Sequence, residues 1–224
     1  PDDGAFIAHV GSDEAGKGDF FGPLVVAAVF VENADQRKQL RDMGVQDSKN
    51  IADTQACTLR KDVLKICPNS AEVVITPAQY NEGITEVGNA NKVLAKGHSE
   101  AIETVLDSIS TGVCTLVVVD QFSKSKQRLL LELGPLAKQV TIEQMHKGES
   151  DIAVAAASIV ARGRFLDELG KLGDTYGMKL PKGASDVIEA GKEFVRRHGA
   201  DELDNAAKTS FKTARQITSA FDLR

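Results

Sequence analysis

Residues 5–31 read A-F-I-A-H-V-G-S-D-E-A-G-K-G-D-F-F-G-P-L-V-V-A-A-V-F-V. Residues 5–12 are apolar and β-prone, and predict a first strand that ends at the acidic pair Asp13-Glu14. Gly16-Lys17-Gly18 and Gly22-Pro23 are turn material. Residues 24–31 are apolar without alternation, as in a strand covered on both faces. The two strands can form an antiparallel pair. Adjacent acids at a strand end point to opposite faces if the strand geometry persists, so one could ligate a metal directly while the other reaches it around the edge.

Working outward, periodicity predicts a helix over residues 53–66 and a β-prone run over 71–76 that stops at Pro77. Helical spacing of Val93, Leu94, Ala101, Ile102, Val105 and Leu106 predicts a helix over 91–109, broken by Gly112. Residues 113–119 read as an interior strand ending at Asp120, and 140–142 as a short strand. A long helix is expected over 149–169. Its middle is small (Ala153, Val154, Ala155, Ala156, Ala157, Ser158), so it can lie close against a sheet. The C-terminal part, about 184–224, reads as helical, with helices over 185–198 and 208–221. Strands first and alternating helices later indicate an α/β or α+β layered domain. A right-handed helical crossover would lay the 113–119 strand parallel to the first and beside it. Asp13 and Asp120 would then share the end of the sheet where open α/β folds build sites.

The 224 residues fit one domain, and 42% apolar residues suffice for a core. No apolar run approaches the roughly 20 residues that cross a bilayer, and no leader pattern opens the chain. The expectation is a cytoplasmic protein without membrane association. Cys57, Cys67 and Cys114 are odd in number and widely spaced, against a disulfide framework or a zinc ribbon. His9, His98, His146 and His198 form no H-E-x-x-H and read as packing or surface residues. The net charge of -5 argues mildly against a nucleic-acid partner. It does not exclude a nuclease, whose bound cations reverse the local charge. Lys124, Lys126 and Arg128, and also Arg162 and Arg164, read alone as solvated faces.

Residues 11–18, G-S-D-E-A-G-K-G, come within one residue of the phosphate-loop pattern G-x-x-x-x-G-K-[ST]. Gly18 offers no hydroxyl for magnesium, Asp13 and Glu14 would repel a triphosphate, and a strand follows where a helix is required. What remains is a flexible turn whose backbone can approach a ligand closely. Asp120 caps an apolar strand and is either a turn or capping residue or a site acid. Glu149 opens the small-residue helix, where Glu149 or Ser150 could serve as its cap and Asp151 competes for that role. Together Asp13, Glu14, Asp120 and Glu149 are carboxylates from three segments. That is what two magnesium or manganese ions need, since these hard cations prefer oxygen ligands.

The stretch 11–28 resembles the opening motif of type 2 ribonucleases H, specifically bacterial ribonuclease HIII, with Lys17 and Asp19 where the HII branch carries Arg and Pro. Asp47-Ser48-Lys49, residues 88–103 (G-N-A-N-K-V-L-A-K-G-H-S-E-A-I-E), 117–122, 147–162 and 180–185 agree with it in order. The resemblance implies a ribonuclease H-like fold, a mixed central sheet flanked by helices. It implies endonucleolytic cleavage of the RNA strand of RNA/DNA hybrids, leaving 5′-phosphate and 3′-hydroxyl ends. It assigns Asp13, Glu14, Asp120 and Glu149 as catalytic and metal-holding, with Glu149 preferred over Asp151. The Gly16-Lys17-Gly18 backbone should read the 2′-hydroxyl. Ser48, Lys49 and Lys147 are further substrate contacts. Two Mg2+ (or Mn2+) ions are the implied cofactors. The expected partner is the hybrid duplex, with no obligate protein partner and a monomer as default. One catalytic domain over 1–224 is expected, without the N-terminal substrate-binding domain usual in ribonuclease HIII. The alternatives are HII-like cutting at single ribonucleotides in DNA, a ribonuclease H-fold nuclease acting on DNA, and a hybrid-binding module without activity.

Overall fold

The structure is a computed structural model that describes residues 6–45, 51–184 and 187–221. Five strands form one sheet in the order β3-β2-β1-β4-β5: β1 (His9–Ala15), β2 (Leu24–Val31), β3 (Ser70–Ile75), β4 (Leu116–Asp120) and β5 (Thr141–Met145). β1 pairs antiparallel with β2, and β2 with β3. β4 lies parallel to β1 and β5 parallel to β4. The mixed α/β sheet expected from the sequence is thus present, with the antiparallel opening pair and the parallel crossover strand next to it. The first strand differs from its expected span. It continues through Asp13 and Glu14, which pair with Ala27 and Val26 inside the ladder, because the wholly buried β2 offers partners along its full length.

The helices are α1 (Ala34–Asp42), α2 (Asp53–Ile66), α3 (Pro77–Val87), α4 (Ala90–Ser108), α5 (Gln127–Glu132), α6 (Ile152–Tyr176), α7 (Ile188–His198), α8 (Leu203–Ala206) and α9 (Lys212–Thr218). Pro77 ends the β-prone run and also opens α3. Thr76 caps that helix in a reciprocal box with Gln79, a signal legible in T-P-x-Q. α6 starts three residues later than its pattern indicates, because Asp151 Oδ1 accepts from the N–H groups of Ala153 and Val154 at 2.9 and 3.0 Å. It also runs past Gly170 and Gly173 to a left-handed Gly177. The C-terminal helices are shorter than expected. Lys208 is not the start of a helix; it is buried, and its ammonium donates to the carbonyls of Asp19 and Gly22.

Two apolar cores sandwich the sheet. One lies under α6 and α2, the other under α4. α6 sits so close to β1 that a Cβ on Gly11 would lie 2.0 Å from the backbone carbon of Ala153. The glycine on the strand and the alanines on the helix are therefore one feature, a backbone-to-backbone contact that excludes bulk. Cys57, Cys67 and Cys114 are free thiols. Among the described residues no helix is long and apolar enough to cross a membrane.

Candidate active site

Ser12 pairs with Val119 in the parallel β1–β4 ladder. One step further along each strand stand Asp13 and Asp120, neighbours at the same sheet edge. Period-two alternation then separates the two consecutive acids of β1. Val10 belongs to the core under α4, so Ser12 and Glu14 share that face. Gly11, against Ala153, places Asp13 on the α6 face.

The contacts agree with this parity. Asp13 is hydrogen-bonded by Ser158 of α6, and its Oδ1 also accepts from the N–H of Glu14 at 2.7 Å. Burial, together with the charges of Glu14 and Asp120, pushes the Asp13 carboxyl up to about 8. On the other face Glu14 Oε2 lies 3.2 Å from His98 Nε2 on α4, and its Oε1 lies 3.5 Å from Lys17 Nζ. Burial raises the Glu14 carboxyl, but the hydrogen bond and charge of His98, joined by Lys17, outweigh it and hold the group below its ordinary value.

Asp120 closes β4 with Oδ1 accepting the Gly148 N–H at 2.7 Å. Gly148 to Ser150 form a single 3-10 turn that carries Glu149, half-buried, between β5 and α6. Lys147 precedes it with φ 57, the non-glycine residue of left-handed backbone among those described. Asp151, the rival for the fourth acid, is engaged elsewhere. One oxygen caps α6, and Oδ2 lies 2.9 Å from His9 Nε2. Glu149 does not cap the helix.

Gly16 has φ 85, and a Cβ there would meet the Pro23 carbonyl at 2.3 Å, so the turn accepts only glycine. Gly18 is exposed and open on all sides. The Lys17 ammonium folds inward to the Phe122 carbonyl at 2.8 Å. Ser48 and Lys49 lie outside the described residues. Arg162 pairs with Asp53, and Arg164 with Glu72 and Glu168, so this basic pair serves the α2–β3–α6 surface. A groove of about 950 Å3 runs between the C-terminal half of α6 and residues 177–182, and none of the four acids lines it.

The donor chemistry of Asp13, Glu14 and Asp120 fits a hard divalent cation, being carboxylate oxygen throughout. Burial first, and then the charges of Glu14 and Asp120, disfavour the ionised Asp13 carboxyl, and a bound cation would offset both. Among the described residues no three His, Cys, Asp or Glu side chains already converge as a ligand set. Glu14 turns to His98 and Lys17, and Asp120 to Gly148.

His98 is the participant that the sequence reading passed over. It sits four residues after Leu94 and four before Ile102, on the buried face of α4. A titratable ring on an apolar stripe was the available signal.

Comparison with known proteins gives a consistent picture. Residues 10–214 match the family model described as Ribonuclease HII. The chain is 42% identical over 206 residues to ribonuclease HIII of Protochlamydia amoebophila, covering 92% of this chain and 66% of that protein. It is 38% identical over 212 residues to ribonuclease HIII of Chlamydia pneumoniae, covering 94% and 70%. The chain thus spans about two thirds of the length of these relatives. Among solved structures, Bst-RNase HIII in complex with Mn2+ superposes with a TM-score of 0.89 at 29% identity, covering 98% of this chain and 72% of that one. The ribonuclease H2 of Pyrococcus horikoshii OT3 superposes with a TM-score of 0.80 at 26% identity, covering 97% and 100%.

Proposed function

The chain belongs to the type 2 ribonuclease H family, on the branch of its ribonuclease HIII relatives, and from that premise we propose that it is an endonuclease hydrolysing the RNA strand of RNA/DNA hybrids to 5′-phosphate and 3′-hydroxyl ends. The observation that carries the reading is the placement of Asp13, Glu14 and Asp120 at the same end of two parallel strands, with Asp13 driven up to about 8 by burial and by its acidic neighbours.

Asp13, Glu14, Asp120 and Glu149 would hold two Mg2+ or Mn2+ ions. Such ions, when bound, supply a water of lowered pKa and a counter-charge for the departing 3′ oxygen. The protein's own contributions follow from its chemistry. Asp13 and Glu14 lie on opposite faces of β1, so each would offer its carboxylate to an ion without crowding the other. The Gly148 N–H orients the Asp120 carboxylate. Asp151, occupied as cap and His9 partner, leaves the role of fourth acid to Glu149. The open Gly18 edge and the turn at Gly16 let backbone groups approach a ribose 2′-hydroxyl, the atom that separates RNA from DNA. Lys147 reaches a phosphate from the turn beside Glu149. The domain acts as a monomer in the cytoplasm.

The test is cleavage of an end-labelled RNA strand annealed to DNA, with Mg2+ or Mn2+ and with Asp120→Asn as comparison. Internal cuts by the wild type and loss of nearly all cleavage in a folded Asp120→Asn protein are expected. A fully active Asp120→Asn protein would refute the assignment. Preferential turnover of branched DNA would favour a DNA nuclease instead. Efficient nicking at a single ribonucleotide embedded in duplex DNA would move the chain toward HII-like specificity.

A further inference from the structure

His98 is fully buried in α4, with both ring nitrogens and one face of the ring engaged. The Ser12 hydroxyl donates its one hydrogen to the Ala27 carbonyl at 2.9 Å. The same hydroxyl oxygen lies 2.8 Å from His98 Nδ1, so the two ring nitrogens face two oxygens. Nε2 then faces Glu14 Oε2 at 3.2 Å. Phe122 stacks on the ring at 4.8 Å between centroids and 8° between planes. Phe122 follows Asp120 by two residues, and its carbonyl accepts from Lys17, which also leans on Glu14. The imidazole thus joins the backbone of β2, the second acid of β1 and the segment after β4 in one run of contacts.

A histidine needed only to fill the core would not require this alignment. We propose that His98 is a positioning residue that fixes the direction of the Glu14 carboxylate, so that Glu14 presents a set geometry to a divalent cation. This rests on Glu14 being one of the metal-holding acids. A carboxylate at the edge of a sheet has two free side-chain torsions beyond χ1, and ordering them anew costs affinity each time an ion binds. Ser12 orients the ring, the ring orients Glu14, and Phe122 stops the ring from tilting. Partners of metal ligands at this remove contribute about 10- to 100-fold to metal affinity or activity when they are removed.

Two substitutions separate positioning from filling. His98→Phe keeps an aromatic ring to stack on Phe122 but has no donor. His98→Gln keeps an amide that can donate to Glu14. Mn2+ affinity would be measured by isothermal titration without nucleic acid, alongside hybrid cleavage across a Mn2+ series and a thermal melt as a folding control. The expected result is Mn2+ binding weakened by about tenfold or more in His98→Phe and restored to within about threefold of wild type in His98→Gln. KM for the hybrid should stay unchanged, while the Mn2+ concentration for half-maximal rate rises. Equal weakening in both variants, or wild-type binding by a folded His98→Phe, would overturn the proposal. Wild-type protein that binds Mn2+ but leaves hybrids intact would refute the ribonuclease reading, and the binding arms would still decide the role of His98. A wild type that takes up no Mn2+ overturns both.

Discussion

The backbone N–H of Gly148 donates to Asp120 Oδ1 at 2.7 Å, and a Cβ on Gly148 would come within 2.9 Å of that same oxygen. The acid that ends β4 and the turn that carries Glu149 are therefore held in register by a contact only glycine permits. Gly148→Ala must push either the carboxylate or the turn aside. Displacements of about 1 Å near reacting groups cost on the order of 100-fold in rate. Cleavage by Gly148→Ala is expected to fall by about that factor while the melting temperature changes little. Wild-type turnover in the variant would remove Gly148 from the account of the site. Gly170→Ala on the same stretch of chain makes a suitable comparison. Its Cβ meets open space within α6, so it should gain about 0.5–1 kcal/mol of stability and leave cleavage alone.

The raised Asp13 carboxyl sets a pH dependence for the metal-free protein. Unfolded, this group ionises near 4; folded, it keeps its proton to about 8. Between those values the folded state binds more protons than the unfolded one, so stability falls as pH rises and levels off above about 8. Asp13→Asn removes that slope. Urea unfolding at pH 5 and pH 8.5 with a chelator present should show the wild type losing on the order of 2 kcal/mol more than the variant. Added Mg2+ or Mn2+ should restore the wild type at the higher pH and do little for Asp13→Asn. Parallel pH profiles for the two proteins would show that Asp13 ionises normally.

Lys147 has a left-handed backbone at φ 57 and an exposed side chain, and it stands next to Glu149. That conformation costs a non-glycine residue about 1 kcal/mol, tolerated where the side chain has work to do. Lys147→Gly should keep or slightly raise the stability while weakening affinity for the hybrid, with a shallower salt dependence of binding. Measuring KM at two salt concentrations decides the matter. An unchanged KM at both would show that the lysine does not contact phosphate.

Gly11 faces the backbone of Ala153 with no room for a Cβ, the nearest atom lying at 2.0 Å. Gly11→Ala would have to lift the start of α6 off β1, and with it the turn that bears Glu149. Overpacking of this kind costs about 3 kcal/mol or more where the obstacle is backbone on both sides. Chemical denaturation should register the loss directly. A variant as stable as the wild type would mean that helix and strand slide apart freely, contrary to the close packing.

Much of this arrangement was legible in one dimension. Strings of apolar residues gave β2 its limits, and helical spacing gave α2 and α4 theirs within a residue or two, since burial of one face imposes a period the chain must carry. The run of alanines before Ser158 announced a close contact, and the acids stood out because a carboxylate at the end of an apolar strand needs a reason. The sequence also carried the capping signals of α3 and α6 in Thr76, Gln79 and Asp151. Asp151 stands in the sequence as one of three possible caps of α6, and the structure selects it; the Thr76–Gln79 box lies in a stretch whose hydrophobic period alone gave no helix.

What the sequence could not determine was which groups meet across the chain. Asp13 and Glu14 are neighbours along it, yet one answers to Ser158 and the other to His98, on helices packed against opposite faces. A titratable ring on an apolar stripe marks His98 locally but does not say what it serves, because its meaning comes from Ser12 and Glu14, more than 80 residues away. Asp151 and Glu149 are equally acidic, and where the resemblance favoured Glu149, the structure adds that the helix start and His9 engage Asp151. Composition and period follow from water exclusion, which acts on every residue wherever its partner lies. Hydrogen bonds and charge pairs act over a few ångströms, so which ones form is decided only when the sheet and its two layers of helices bring those distances about.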